Sequence, residues 1–332
     1  MKYTKMVWSG PMQVGLAQGE IDEKNIGSHG ILIKTHYSIV SAGTDVACLQ
    51  FQQVTTDAGG AAVGEVVVIG NEVENVKVGD LVFHYGAHAE YSKHTDNDLM
   101  LKVPEGLDER FVPFARPAAI AMTALRVGDI ELGDFVGVTG LGSVGNMAAQ
   151  LAGLQGAKVI AIDVIKKRLD VAKECGVPYC IDASKPDYKD QVMEITEGQG
   201  VTTLIEAAGS AKVVHDNLPI IGDRGEIILL GSPRAEYQCN LTEILNFCHL
   251  CPKLITFKGA HEWRYPMKPN GVEKHSFLRN KKIILGLMKE GKLAIKPLMT
   301  HVMPPEDGQK AYEGLANHKD QFVSVLFDFT KK

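Results

Sequence analysis

Phe135-Val-Gly-Val-Thr-Gly140-Leu141-Gly142-Ser143-Val144-Gly145 carries Gly140, Gly142 and Gly145 at a spacing that serves one kind of ligand. An apolar strand ending at Thr139 runs into Gly140-x-Gly142-x-x-Gly145, and a helix begins at about Ser143. A second apolar strand, Lys158-Val-Ile-Ala-Ile-Asp163, ends in a carboxylate 23 residues after Gly140. Glycine at the first position makes the tight turn, at the second it lets backbone N–H groups approach a pyrophosphate, and at the third it lets helix and strand touch. The helix N-terminus adds a field that favours phosphate. Asp163 can accept hydrogen bonds from a ribose diol and would repel a 2′-phosphate. Together these parts form the dinucleotide-binding fingerprint, and NAD is expected over NADP. Lys166, Lys167 and Arg168 read as the solvated first turn of the next helix, with Lys167 or Arg168 able to reach the ribose or phosphate.

Other residues capable of chemistry are sparser. The six cysteines do not make a disulfide framework in 332 residues. Cys48, Cys175, Cys180 and Cys239 are scattered, and Cys248-His249-Leu250-Cys251 has the spacing of half a metal site without a second half. A net charge of −5 without a long basic block argues against a nucleic-acid partner. No apolar run approaches the ~20 residues that span a bilayer. The start, Met1-Lys-Tyr-Thr-Lys-Met-Val-Trp8, lacks the apolar stretch of a signal peptide, so a cytoplasmic protein is expected.

The elements that must position these residues fall into two styles. Up to about residue 115, short runs such as Gly30–Thr35, Gly64–Ile69, Asp80–Phe83 and Glu90–Ser92 are separated by Gly, Asn and Asp, which reads as mostly β. From about Pro117, strands and helices alternate through a strand at Leu254–Gly259, giving the six strands of a doubly wound parallel sheet. After His261 the alternation stops. A Trp-, Pro- and Gly-containing loop leads to an amphipathic helix at His275–Lys289, a helix at Glu306–Asn317 and a last strand at Phe322–Phe329. The chain therefore reads as α/β, with a Rossmann domain at 118–261 inserted in a β-rich domain built from 1–117 and 262–332.

Further strings carry a resemblance along most of the chain. Ser41-Ala-Gly-Thr-Asp45 is similar to a Cys-Gly-Thr-Asp segment, and Gly59-Gly-Ala-Ala-Val-Gly64 to a Gly-His-Glu-x-x-Gly segment. Val78-Gly-Asp-Leu-Val82, Gly86-Ala-His-Ala-Glu-Tyr91 and Phe114-Ala-Arg-Pro-Ala-Ala119 likewise have counterparts. With the fingerprint, they resemble the medium-chain dehydrogenase/reductase superfamily, in its zinc-type alcohol and polyol dehydrogenase branch. The resemblance implies a GroES-like catalytic domain around the Rossmann domain, and a homodimer or homotetramer with Gly231–Tyr237 and Lys258–Trp263 near the dimer edge. It adds Ala207, Ala208 and Gly209, then Gly231 and Ser232, to the residues expected to pass the cofactor.

The departures from that family are chemical. The positions that hold catalytic zinc in relatives are Ala42, Gly60, Ala61 and Arg116 here, and no cysteine stands in 94–101, where a structural-zinc lobe would lie. Neither zinc site is expected. Without a Lewis acid, another group must manage the hydroxyl proton. The resemblance places the nicotinamide among the Thr44, His88 and Arg116 segments and the loops after Ala207 and Leu230. Thr44 then stands at the relay hydroxyl, His88 offers an imidazole that could act as base near neutral pH, and Arg116 could clamp an anion or stabilise an alkoxide. His261 and Glu262 are polar candidates on the opposite side, and His84 and Tyr85 could line the mouth. Packing, surface and ion-pair roles stand beside each of these. The expected activity is zinc-independent hydride transfer between NAD and a secondary alcohol or ketone of a polyol or sugar. A zinc-free C=C reductase using NAD(P)H and a non-catalytic NAD-binding scaffold are the alternatives.

Overall fold

The computed structural model describes residues 1–331, and their contacts divide into two units. The first comprises Met1–Arg116, Lys281–Glu290 and the chain from Leu298 onward. Its main sheet runs β15 (His301–Met303), β16 (Val325–Asp328), β3 (Gly30–Ile39), β5 (Gly59–Ile69), β6 (Leu81–Ala87) and β8 (Met100–Lys102), with β7 (Tyr91–Thr95) also on β3. A smaller sheet pairs β1 (Lys2–Gly10) with β2 (Gln13–Glu20) and β4 (Thr56–Asp57). Helices α1 (Ala42–Leu49) and α9 (Gly308–Asn317) pack beside it, burying Met6, Leu49, Tyr312 and Phe327 in one core.

The second unit comprises Pro117–Asn280 and Gly291–Pro297. Helix α2 (Ala115–Val127) leads into a six-stranded sheet of order β11 (Tyr179–Asp182), β10 (Lys158–Asp163), β9 (Phe135–Thr139), β12 (Val201–Glu206), β13 (Ile221–Leu229), β14 (Thr256–Gly259). Every pairing in it is parallel. The helices between the strands are α3 (Ser143–Leu154), α4 (Lys166–Glu174), α5 (Tyr188–Ile195), α6 (Ala211–Asn217) and α7 (Leu241–His249). The strand order reverses between β9 and β12, and such a reversal opens a crevice at the carboxyl ends of the strands. The expected α/β class and doubly wound sheet are therefore what the chain forms, alongside a β-rich unit.

Residues 262–280 group with the second unit rather than with the β-rich one. Arg264 Nη1 donates to Gly259 O at the end of β14 at 3.3 Å, and the segment is held together by Trp263 stacked on Phe277 at 4.8 Å between ring centroids and by Phe277 N donating to Pro266 O at 2.9 Å. Helix α8 (Phe277–Lys289) starts there and supplies 281–290 to the first unit. The strands of the first unit run longer than their apolar runs suggested. β3 continues through Lys34-Thr-His36 to Ile39 because β5 pairs with it to its end and β16, at Tyr37–Ile39, follows β7 as its partner on the other edge. Among the described residues, no helix is long and apolar enough to cross a membrane.

Candidate active site

In the second unit the three glycines have three different surroundings. Gly140 sits at φ +84°, and a Cβ there would lie 2.5 Å from Ala208 N. A Cβ at Gly145 would lie 1.8 Å from Gly140 O. At Gly142, the N-cap of α3, a Cβ would meet nothing within 4 Å. The first and third glycines are thus required by the protein's own packing, whereas the second borders open space at a helix N-terminus, where backbone donors and the helix field favour an anion.

Asp163 ends β10 almost completely buried. Its Oδ2 accepts from Leu141 N at 2.6 Å and its Oδ1 from Ile165 N at 2.9 Å, while Arg168 Nη1 stands 3.6 Å from Oδ2. The carboxylate ties the glycine loop to the strand end and fixes its own orientation, leaving lone pairs for a further donor. Lys167 is exposed, and Lys166 pairs with Asp170.

The loops after β12 and β13 are bound to each other. Gly231 N donates to Glu206 O at 2.7 Å, and a Cβ at Gly231 would lie 2.3 Å from Gly209 N. The Glu206 side chain accepts from Gly209 N at 3.2 Å and Ser210 N at 3.4 Å. Burial pushes its carboxyl up to about 7, although the backbone N–H groups of Ser210, Ala208 and Gly209 pull the other way. Ala207 and Gly231 are half-buried in this joint, and Ala208 and Ser232 are exposed beside them. Ser143 and Val144 are half-buried at the start of α3, and Leu141 is fully buried.

In the first unit a polar cluster lies where β5, β6, α1 and α2 meet. The Arg116 guanidinium sits over the Tyr85 ring, 5.4 Å from its centroid. A Cβ at Gly60 would be 3.7 Å from Arg116 Nη1, 3.6 Å from His88 Cε1 and only 2.6 Å from Ile39 O. His88 is completely buried, and its Nδ1 is 2.7 Å from Ser38 Oγ. Burial, and then the Arg116 charge, push its pKa down to about 3. The neutral-pH base expected at this position is therefore an uncharged imidazole and a very weak base. His84 is also fully buried, with Nδ1 3.1 Å from His94 Nε2, and burial followed by His94 lowers its pKa to about 3.

Thr44 is exposed on α1. The next residue, Asp45, is buried and accepts from Ser41 N at 2.8 Å; burial raises its pKa to about 7 and the Arg116 charge counters this. In the second unit, His261 is exposed and caps a 3₁₀ turn, its Nδ1 accepting from Trp263 N at 3.4 Å; Glu262, in that turn, is half-buried. Thr44, His88 and Arg116 thus belong to the first unit, and His261 and Glu262 to the second.

Two residues of the first-unit cluster escape sequence reading, Asp45 and Lys281. Lys281 is fully buried, with Nζ 5.1 Å from the centroid of the same Tyr85 ring. A signal for it exists in the apolar stripe of α8, which Lys281 interrupts. No group of three or more His, Cys, Asp or Glu able to hold a metal gathers among the described residues. The side chains at 42, 60, 61 and 116 offer no zinc donor, so the donor set does not fit the metal.

Residues 143–267 match the family model described as zinc-binding dehydrogenase. A D-guloside 3-dehydrogenase of Shigella flexneri is 32% identical over a stretch covering 54% of this chain and 52% of its own length. The chain thus spans about half the length of this relative. A sorbitol dehydrogenase of Halalkalibacterium halodurans is 27% identical over 89% of this chain and 91% of its own. The crystal structure of galactitol-1-phosphate dehydrogenase from Escherichia coli superposes with a TM-score of 0.83 at 20% identity, covering 98% of this chain and 99% of that one. The fold is that of the alcohol dehydrogenase-like proteins, and the likeness is to their zinc-type members. The matched segment 143–267 begins beyond all four positions, 42, 60, 61 and 116, at which a catalytic metal would be held.

Proposed function

We propose that this chain is an NAD-dependent oxidoreductase that moves hydride between a nicotinamide and a secondary alcohol or its ketone, on a polyol or sugar-like molecule, and does so without zinc. Relatives named for guloside and sorbitol support the substrate class. The observation that carries the zinc-free reading is at Gly60. Its backbone is closed against Ile39 O, and the guanidinium of Arg116 and the imidazole of His88 border the space a ligand side chain would need. The departure is built into the strand and is more than an exchange of side chains.

The glycine loop, Asp163 and the joined loops at Ala207–Gly209 and Gly231–Ser232 would hold the dinucleotide, pyrophosphate at Gly142 and adenosine ribose at Asp163. When bound, the nicotinamide supplies a two-electron hydride acceptor or donor. The chain's own part is to orient the substrate and manage one proton. Arg116 is suited to stabilise negative charge on the substrate oxygen through charge-assisted hydrogen bonds. His88, buried and held neutral, is hydrogen-bonded to Ser38 at its side. Asp163 favours NAD: Arg168 is engaged beside that carboxylate and brings no free cation to a 2′-phosphate.

The test is a titration of chelator-treated protein with NADH and NADPH, followed by turnover of polyols, sugars and their ketones. Tight NADH binding, weak NADPH binding and activity indifferent to chelator and to added zinc are expected. Loss of activity on chelation with recovery on zinc would sink the metal-free reading. Failure to bind either nucleotide would sink the reading as a whole, and a preference for NADPH with quinone or enone turnover would favour a C=C reductase.

A further inference from the structure

Helix α8 buries Phe277, Asn280, Lys281, Ile284, Leu285 and Met288, a stripe at helical spacing. Such a stripe reserves its positions for apolar side chains. A lysine with no exposed surface is rare, and burying an ammonium is costly unless something compensates it. Part of the compensation is visible: Lys281 Nζ lies 5.1 Å from the Tyr85 ring centroid, within the range of cation–π attraction. Arg116 Cζ lies 5.4 Å from the same centroid. One tyrosine thus gathers two cations, contributed by the start of α2 and by α8, distant in sequence and both within the first unit.

Two positive charges at one phenol favour its ionised form. Tyr85 is also half-buried, so it keeps access to solvent or ligand that His84 and His88 lack. The charged groups at its ring are Arg116 and Lys281, and Asp45 acts on Arg116; His84 and His88, close to it in sequence, are held neutral. We infer that Tyr85 is the catalytic proton donor and acceptor of the proposed reaction, with Lys281 as a positioning residue that, together with the Arg116 charge, holds its phenol close to ionisation. This rests on the hydride-transfer reading above.

In the oxidative direction the Tyr85 phenolate takes the proton of the substrate hydroxyl, the carbon–hydrogen bond breaks with its electron pair passing to the nicotinamide, and a carbonyl forms. The carbon is oxidised by two electrons, the nicotinamide is reduced by two, and the proton resides on Tyr85 Oη until solvent removes it. In the reverse direction the phenol returns that proton to the carbonyl oxygen. The pH dependence follows: oxidation rises with pH through the phenol's pKa, and reduction falls through it.

The experiment uses the full chain in three forms, parent, Tyr85→Phe and Lys281→Met. Ultraviolet difference titration of parent against Tyr85→Phe is expected to show one phenol ionising below the ordinary value of about 10. In Lys281→Met that titration moves upward. For turnover, Tyr85→Phe is expected to lower kcat by about 10²-fold or more with NADH affinity unchanged. Lys281→Met shifts the pH limb of kcat upward, and Lys281→Arg restores it in part. The inference is overturned by a Tyr85 that ionises at the ordinary value in both backgrounds, or by Tyr85→Phe with kcat and pH profile of the parent. The titration needs no turnover, so an absence of NAD-linked activity in the parent would fail the reading above while the phenol's pKa still decides this one.

Discussion

At the scale of single residues, the glycines separate binding from folding. Gly145→Ala would drive a methyl into Gly140 O, where the gap is 1.8 Å, so helix α3 must move off β9. Gly142→Ala meets nothing within 4 Å and keeps an ordinary backbone conformation, φ −63° and ψ −177°. Its cost in stability is that of replacing an N-cap glycine by alanine, under about 1 kcal/mol. The methyl would nonetheless occupy the space proposed for the pyrophosphate. Gly142→Ala is therefore expected to unfold within a few degrees of the parent yet bind NADH at least tenfold more weakly, whereas Gly145→Ala loses several kcal/mol and binding together. Thermal unfolding paired with NADH fluorescence titration checks both, and an alanine at 142 that binds normally would remove the pyrophosphate from this loop. The close approach of Gly145 to Gly140 was legible in the sequence because the two stand a few residues apart, whereas the packing of Gly140 against Ala208 was not. The second role of Asp163, pinning Leu141 N, and the neutral state of His88 were not legible, because burial and the Arg116 charge are properties of the assembled unit.

At the scale of elements, the carboxyl end of β12 carries a cost that pH should reveal. Glu206 titrates at about 7 in the fold against an ordinary value of 4.5, chiefly because it is buried. Its folded pKa is raised, so the folded state holds the proton more tightly than the unfolded chain. The resulting destabilisation is absent below about 4.5, grows as pH rises, and is complete above about 7. Glu206→Gln is expected to be more stable than the parent by ~1–3 kcal/mol above neutrality, less what is lost when the amide replaces a carboxylate oxygen as acceptor, with the difference vanishing near the ordinary carboxylate range. Chemical denaturation across pH reads this directly, and an advantage that grows toward acid would contradict it. Asp45 shares the same direction, so some pH dependence should persist in the variant. The six parallel strands were legible because buried strands read as continuous apolar runs alternating with helices. The hairpin of β1 and β2 was not: Met6 and Val7 are buried side by side in β1, and where burial alternates in β2, over 16–20, the apolar Leu16 lies on the exposed side, so the residue types show no period of two.

At the scale of the molecule, the question is whether the proposed metal-free chemistry could be reversed by restoring ligands. The family likeness covers 143–267, in the second unit, whereas the departures at 42, 60, 61 and 116 lie in the first. There β5 is held on both sides, by β3 through Ala61 opposite Ile39 and by β6 through Gly60 opposite Gly86. A strand gripped at both edges cannot withdraw from Ile39 O to admit a side chain at 60, where a Cβ would lie at 2.6 Å. Lys281 and Arg116, both at the Tyr85 ring, further place positive charge in the same unit that would repel a divalent cation. Gly60→Ala alone is therefore expected to cost ~2–4 kcal/mol, in the range of overpacked cores and strained backbone. The triple variant Ala42→Cys, Gly60→His, Arg116→Glu should gain no zinc affinity, measured by competition with a chromophoric chelator. A stable triple variant that binds zinc tightly would mean that this backbone still accommodates the family's metal, and that side chains alone separate the chain from its zinc-type relatives.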